Sequence, residues 1–153
     1  MKNGLKANIL FTYLLKYSFM FNIKRFVCNP FQENCYVVND NAKEAVIIDC
    51  GALYTEERKA VTEYIRENDL SVKHLLATHA HIDHNFGNNT IKDEFGLLPE
   101  VSSADALLMD KLKEQAVILA NIQLDYEMPA VGRFLNENNV IEFGSHKLTI
   151  LPT

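Results

Sequence analysis

The stretch from Thr78 to His84, "THAHIDH", holds three histidines and one aspartate, in a chain of 153 residues with only five histidines in all. Imidazole nitrogens and carboxylate oxygens are common protein ligands of zinc, iron and manganese. The stretch is therefore a candidate metal site. The alternative is a group of surface histidines beside an aspartate that caps the next helix.

The spacing of these four side chains indicates how they could bind metal. Residues two apart in an extended segment point the same way, so His79 and His81 can hold one ion. If the chain turns after them, Asp83 and His84 flank a neighbouring position, where a second ion could lie roughly 3.5 to 4 Å from the first. Two ions that share a water lower its pKa to supply hydroxide, and they polarise a carbonyl or phosphoryl oxygen. This pattern indicates a hydrolytic site.

The elements before the cluster are predicted from hydrophobic periodicity. An apolar run from Val72 to Thr78 predicts a buried strand, which places the cluster at a strand's C-terminal end, where α/β proteins tend to carry their chemistry. A 3.6-residue pattern predicts a helix over residues 55–69. Three earlier strands in meander order are predicted at Phe21 to Cys28, Asn34 to Asn39 and Glu44 to Asp49.

The elements after the cluster are predicted in the same way. A short helix ends at Gly96, a strand covers Pro99 to Ala104, and a long helix runs from Ala104 to about Leu124. A hairpin turns at Gly144 and Ser145. The apolar side of the long helix is predicted to be Leu107, Leu108, Leu112, Val117, Ile118 and Leu119.

Composition restricts the classes of partner. The chain has 48% hydrophobic and 23% charged residues, which is typical of one globular domain. Its net charge of −5 comes without a cluster of lysine or arginine, so we expect a small-molecule substrate and neither nucleic acid nor a membrane. Three cysteines, Cys28, Cys35 and Cys50, show no CxxC spacing, which favours reduced thiols in the cytoplasm.

The first 19 residues stand apart from this pattern. The apolar run from Ala7 to Leu15 is interrupted by polar residues, is too short to span a bilayer and lacks a small-residue cleavage site, so it does not read as a signal peptide. We expect residues 1–19 to be an extension outside the fold, with Met20 as the alternative start. Residues 20–153 form the predicted domain.

The motif THAHIDH after an apolar strand resembles the signature of the metallo-β-lactamase fold hydrolases, and "ENCYVV" and "AVIIDCG" before it resemble the glyoxalase II branch. The resemblance covers roughly Phe21 to Thr153 and implies an α/β fold, an αββα sandwich of which this chain forms the N-terminal half. It implies two divalent metals, zinc first with iron or manganese possible. It assigns His79 and His81 to the first metal, Asp83 and His84 to the second with Asp83 also catalytic, and Asp49 to support of the metal loop.

The family pattern continues with a TPGHTPG-like stretch and further ligands, whereas this sequence stops at Thr153. The domain is therefore expected to be C-terminally incomplete, with two ligands for each metal and little activity. His146 is expected to be a solvent-facing strand residue that does not bind metal, and His74 a strand residue that faces a neighbour.

Three functions remain open from the sequence. The leading one is a metal-dependent hydrolase that uses metal-bound hydroxide on an ester, thioester or related bond. The second is a sulfur dioxygenase, which oxidises persulfides on the same fold. The third is a non-catalytic fragment.

Overall fold

The computed structural model describes residues 21–151, in which one edge of a six-stranded sheet is an antiparallel meander. Hydrogen bonding pairs Phe21 with Asp40 and Cys28 with Glu33 at the two ends of the first pair of strands. The three predicted strands are confirmed within a residue or two of their expected ends. They are β1 (Phe21–Cys28), β2 (Glu33–Asp40) and β3 (Glu44–Ile48).

The rest of the sheet is parallel, and the candidate site follows the C-terminal end of one of these parallel strands. Helix α1 (Thr55–Glu67) connects β3 to β4, and these two strands pair in parallel. The strands β4 (Ser71–Leu76), β5 (Pro99–Ser102) and β6 (Arg133–Leu135) follow in sheet order. The strand at β6 is not predicted by its sequence, which is short and bears a charge.

One face of the sheet packs against α1 and α2 (Asn88–Phe95). Helix α1 starts where Glu57 accepts hydrogen bonds from the backbone N–H groups of Leu53 and Tyr54, and α2 ends at Gly96, whose φ of 73° is left-handed. The shared core is formed by Val37, Ala45, Ile47 and Leu75 from the strands and Val61, Ile65 and Ile91 from the helices.

The opposite face is partly covered by a two-stranded hairpin, β7 (Val140–Phe143) and β8 (His146–Thr149), as predicted. Ile141 and Phe143 pack on Val38 and Val46 of the sheet. Polar contacts hold the turn: Glu44 accepts a hydrogen bond from the Gly144 N–H at 2.6 Å. Helices on one face and a second small sheet on the other give the mixed α/β architecture that the sequence predicts.

The predicted long helix from Ala104 is wrong in two respects. It is broken into a 3-10 turn (Ser103–Asp105), α3 (Ala106–Met109) and α4 (Leu112–Ala120). Its predicted apolar side is also mostly exposed, with Leu107 at 81% and Ile118 at 77%. The break turns the chain so that Met109, Leu112 and Ala116 pack inward together, and this packing overrides the pattern of leucines.

The predicted extension, residues 1–19, lies outside the described residues, so its exclusion from the fold stays a prediction. Within residues 21–151, no helix combines the length and the apolar character needed to cross a bilayer.

Two left-handed glycines provide a matched test of how the hairpin is held. A Cβ at Gly144 (φ 55°) would overlap Asp40 Oδ2, whereas a Cβ at Gly96 (φ 73°) meets nothing within 4 Å. Gly96→Ala should cost only the backbone strain, about 1 to 2 kcal/mol of unfolding free energy. Gly144→Ala should cost at least about 1 kcal/mol more, because the buried Asp40 carboxylate also accepts the Glu44 N–H and cannot move freely. Equal losses in urea unfolding would contradict this account of the turn.

Candidate metal centre

The candidate site lies where β4 leaves the sheet. The chain continues as an irregular segment through Thr78, His79 and Ala80, and then forms a 3-10 turn at Ile82–His84. Both Ala80 and Ile82 are fully buried, while the histidines between and around them reach the surface. The alternation of the extended segment therefore separates a core-facing side from a histidine-bearing side.

Asp49, at the end of β3, holds the start of this segment. Its Oδ1 accepts a hydrogen bond from the Thr78 N–H and its Oδ2 accepts one from the Thr78 hydroxyl, both at 2.7 Å. The Thr78 hydroxyl oxygen lies 3.0 Å from His79 Nδ1. Asp49 has a φ of 55°, a left-handed conformation that aspartate tolerates better than most residues. These contacts are those expected of a support for the metal loop.

His79 and His81 bring two ring nitrogens together. His79 Nε2 and His81 Nδ1 are 3.0 Å apart, and the two rings are nearly perpendicular at 81°. Two nitrogens at about 2.0 to 2.1 Å from one tetrahedral zinc ion would be separated by roughly 3.3 Å. The pair therefore fits the first predicted metal without a large movement.

Asp83 and His84 form a second pair beside the first. Asp83 Oδ2 lies 3.5 Å from His84 Nε2, and the ring centroids of His84 and His79 are 4.1 Å apart. The other ring nitrogen, His84 Nδ1, lies 3.1 Å from Asp49 Oδ2. A carboxylate on Nδ1 leaves Nε2 for a metal, which is the usual arrangement of a ligand histidine. The four predicted side chains are thus brought together, and their role as ligands stays a prediction.

His79 and His84, whose rings lie side by side, have pKa values shifted in opposite directions. Burial, followed by the nearby charges of His84 and His81, lowers the pKa of His79, which favours the neutral form that binds metal. The Asp49 carboxylate, whose Oδ2 lies 3.1 Å from His84 Nδ1, raises the pKa of His84, which favours the protonated ring when no metal is bound. Metal binding at His84 should therefore release a proton.

Side-chain amides hold the backbone of the loop, and sequence reasoning did not identify them. Asn85 Nδ2 donates to the carbonyls of His79 and His81, at 3.3 and 2.6 Å. Asn29 Nδ2 donates to the carbonyl of Asp83 at 2.8 Å. Gln115, from α4, hydrogen bonds to the backbone on both sides of His81. Isolated side-chain amides have no distinctive spacing in the sequence, so only the fold reveals these contacts.

Glu33 is a further buried carboxylate behind the site. Its side chain is 1% exposed, and its Oε1 lies 3.9 Å from His84 Nδ1. Burial, together with the charges of Asp49 and Asp83, raises the pKa of Glu33 to about 8. The ligand atoms of Glu33, Asp49 and His84 lie within 4.8 Å of one another, so they form a second group that could hold a cation. The nitrogen of His84 that lies near Glu33 and Asp49 is Nδ1, whereas the predicted centre would use Nε2.

The two remaining histidines take no part in the cluster. His74 Nδ1 lies 2.5 Å from Glu100 Oε1 and His74 Nε2 lies 3.1 Å from the carbonyl of Glu142, so His74 faces neighbours as predicted. His146 is half-buried between the rings of Phe21 and Phe143, at 5.6 and 5.5 Å, and is not the solvent-facing residue expected. Its exclusion from the ligand set stays a prediction.

Sequence comparison gives this geometry a context. Residues 28–152 match the Metallo-beta-lactamase superfamily. The chain is 33% identical over 121 residues to the hydroxyacylglutathione hydrolase GloC of Haemophilus influenzae, over 78% of this chain and 54% of that protein. It is 36% identical over 62 residues to a hydroxyacylglutathione hydrolase of Pelagibacter ubique, over 40% of this chain and 24% of that protein. The chain thus spans about half or less of the length of these relatives.

Comparison of structures supports the same fold. The crystal structure of the B3 metallo-beta-lactamase BLEG-1 matches with a TM-score of 0.70 at 24% sequence identity. The match covers 85% of this chain and 59% of that one. At this level of identity the likeness establishes the fold alone.

The raised pKa of Glu33 predicts a specific pH dependence of stability. Between pH 4.5 and about 8 the folded chain keeps a proton on Glu33 that the unfolded chain has lost. The free energy of unfolding in the presence of a chelator should therefore fall as pH rises through this window, and Glu33→Gln should flatten part of that fall.

Urea unfolding at about pH 5 and about pH 8 measures this difference, with Glu137→Gln as a control at an exposed glutamate. If wild type and Glu33→Gln lost stability in parallel, Glu33 would not hold the proton.

Proposed function

The chain belongs to the metallo-beta-lactamase superfamily, and on that basis we propose that it is a metal-dependent hydrolase for an ester, thioester or related bond of a small-molecule substrate. The observation that carries the proposal is the approach of His79 Nε2 and His81 Nδ1 to 3.0 Å, beside Asp83 and His84. The hydrolase names of the two relatives support the reaction class.

The chain's own residues have separable roles in this proposal. His79 and His81 would hold one divalent metal, and Asp83 with His84 a second. Asp49 orients His84 through Nδ1 and fixes Thr78, so the ring nitrogens are placed before metal arrives. When bound, the metals would lower the pKa of a water to supply hydroxide and would polarise the carbonyl that is attacked. Asp83 would also accept a hydrogen bond that orients the attacking water.

The donor set fits such metals but does not select one. Three imidazoles and a carboxylate suit zinc, iron and manganese, and we propose zinc first because neutral imidazoles dominate the set. In this assignment residues 21–151 would supply two ligands for each metal, whereas catalytic zinc sites use three from protein. We therefore expect these residues alone to bind metal weakly and to turn over slowly.

The compartment we propose is the cytoplasm. Cys28, Cys35 and Cys50 are free and buried, and burial raises the pKa of Cys28 to about 12, which keeps that thiol protonated and unreactive. Buried thiols of this kind are compatible with a reducing environment and need no disulfide.

The test of the proposed reaction compares this chain alone with a chimera. The chimera adds the part of the Haemophilus GloC that the chain does not span. Both are assayed with a generic thioester and an aryl ester after loading with zinc. We expect metal-dependent hydrolysis by the chimera, much slower hydrolysis by the chain alone, and a loss of at least about 100-fold in the chimera with Asp83→Ala.

His146→Ala is the matched control, because this histidine lies outside the cluster, and it should leave the rate within about twofold. Hydrolysis that survives both chelation and Asp83→Ala would refute a metal-dependent reaction. Iron in the purified chimera, together with consumption of dissolved oxygen when a persulfide is added, would instead establish the sulfur dioxygenase. If neither protein binds metal or turns over substrate, the remaining interpretation is that the chain is a non-catalytic fragment.

A further inference from the structure

Gln115 contacts the metal loop on both sides of His81. This residue lies on α4, more than 30 positions along the chain from the loop. Its Nε2 donates to the carbonyl of Ala80 at 2.9 Å, and its Oε1 accepts from the N–H of Ile82 at 3.1 Å. These two groups belong to the peptide units that precede and follow the Cα of His81.

Two hydrogen bonds at those positions restrict the backbone of His81 itself. The peptide planes on either side of a Cα define its φ and ψ, which are −84° and 145° for His81. The direction of the Cα–Cβ bond follows from these angles, and the position of the ring follows from the Cβ. Hydrogen bonds that fix these two peptide units would therefore also influence the 3.0 Å approach of His81 Nδ1 to His79 Nε2.

The apolar packing around Ala80 and Ile82 restricts the backbone conformation of His81 less tightly than these hydrogen bonds do. Ala80 and Ile82 are buried against Leu112 and Ala116 of the helix that carries Gln115. Apolar contacts depend little on direction, so they allow the loop to shift along the helix. Hydrogen bonds weaken steeply away from their preferred angle, and the paired amide contacts therefore fix the loop's register on α4.

Gln115 also has a contact that serves the helix alone. Its Nε2 lies 3.0 Å from the carbonyl of Leu108, across the break between α3 and α4. A merely structural role would be to stabilise this break. A test must therefore separate metal geometry from the stability of the helix.

We propose that Gln115 is a positioning residue for His81 and, through it, for the first metal. The inference rests on the proposed function only in taking His81 as a metal ligand. Loss of support around a metal ligand typically reduces metal affinity by 10- to 100-fold. Gln115→Met keeps the length of the side chain while removing both contacts to the loop, so it should produce a loss of about that size.

The experiment uses the 153-residue chain and measures zinc affinity by competition with a chromophoric chelator. Cobalt(II) absorption in the visible range reports ligand geometry in the same variants. Two controls are matched to Gln115→Met. Ile118→Gly weakens α4 at a residue that is 77% exposed, and Gln123→Met changes an exposed glutamine. His81→Ala gives the effect of losing the ligand itself.

We expect Gln115→Met to lower zinc affinity and alter the cobalt spectrum in the direction of His81→Ala, while both controls resemble wild type. If Gln115→Met does not fold, Gln115→Glu replaces it, because a carboxylate can accept from Ile82 but cannot donate to Ala80; reduced affinity is again expected.

Wild-type affinity and spectrum in the Gln115 variant, or the same loss in Ile118→Gly, would overturn the positioning role while leaving the metal site intact. Failure of wild type to bind metal, or a His81→Ala variant that binds like wild type, would overturn the metal site and the positioning role together.

Discussion

The hydrogen bonds of the Asp49 carboxylate to Thr78 are the interaction on which the site depends. They join the ends of two neighbouring parallel strands, because Asp49 follows β3 and Thr78 follows β4. Hydrogen bonds to a charged group contribute about 1.5 to 3 kcal/mol each, enough to fix where the loop leaves the sheet. From that point an extended backbone places His79 and His81 on one side, and the turn at Ile82–His84 adds Asp83 and His84.

His84 lies between two possible cation positions, one beside each of its ring nitrogens. Its Nε2 faces Asp83 and the candidate centre, while its Nδ1 faces Asp49 and the buried Glu33. Asp49 already accepts two hydrogen bonds from Thr78, which reduces its capacity as a ligand on the Nδ1 side. This favours the Nε2 side of His84 for the metal, with Asp49 as the support on the Nδ1 side.

The sequence identifies elements whose signals are local. Alternation predicts β1 to β3 and the final hairpin, and the left-handed glycine marks the end of α2. It also identifies the four candidate ligands as a cluster, because they lie within six positions. It fails where distant packing decides the outcome: leucines such as Leu107 suggest an unbroken helix, but burial of Met109 and Leu112 breaks it. The roles of Glu33, Asn29 and Gln115 depend on contacts between distant segments, so their local sequence does not reveal them.

The most direct test of the account is the position of bound metal in a crystal of the zinc-loaded protein, located by anomalous scattering at the zinc edge. We predict one peak between His79 Nε2 and His81 Nδ1, and a second between Asp83 and His84 Nε2. A peak among Glu33, Asp49 and His84 Nδ1, with none at the two histidines, would contradict the assignment of the centre.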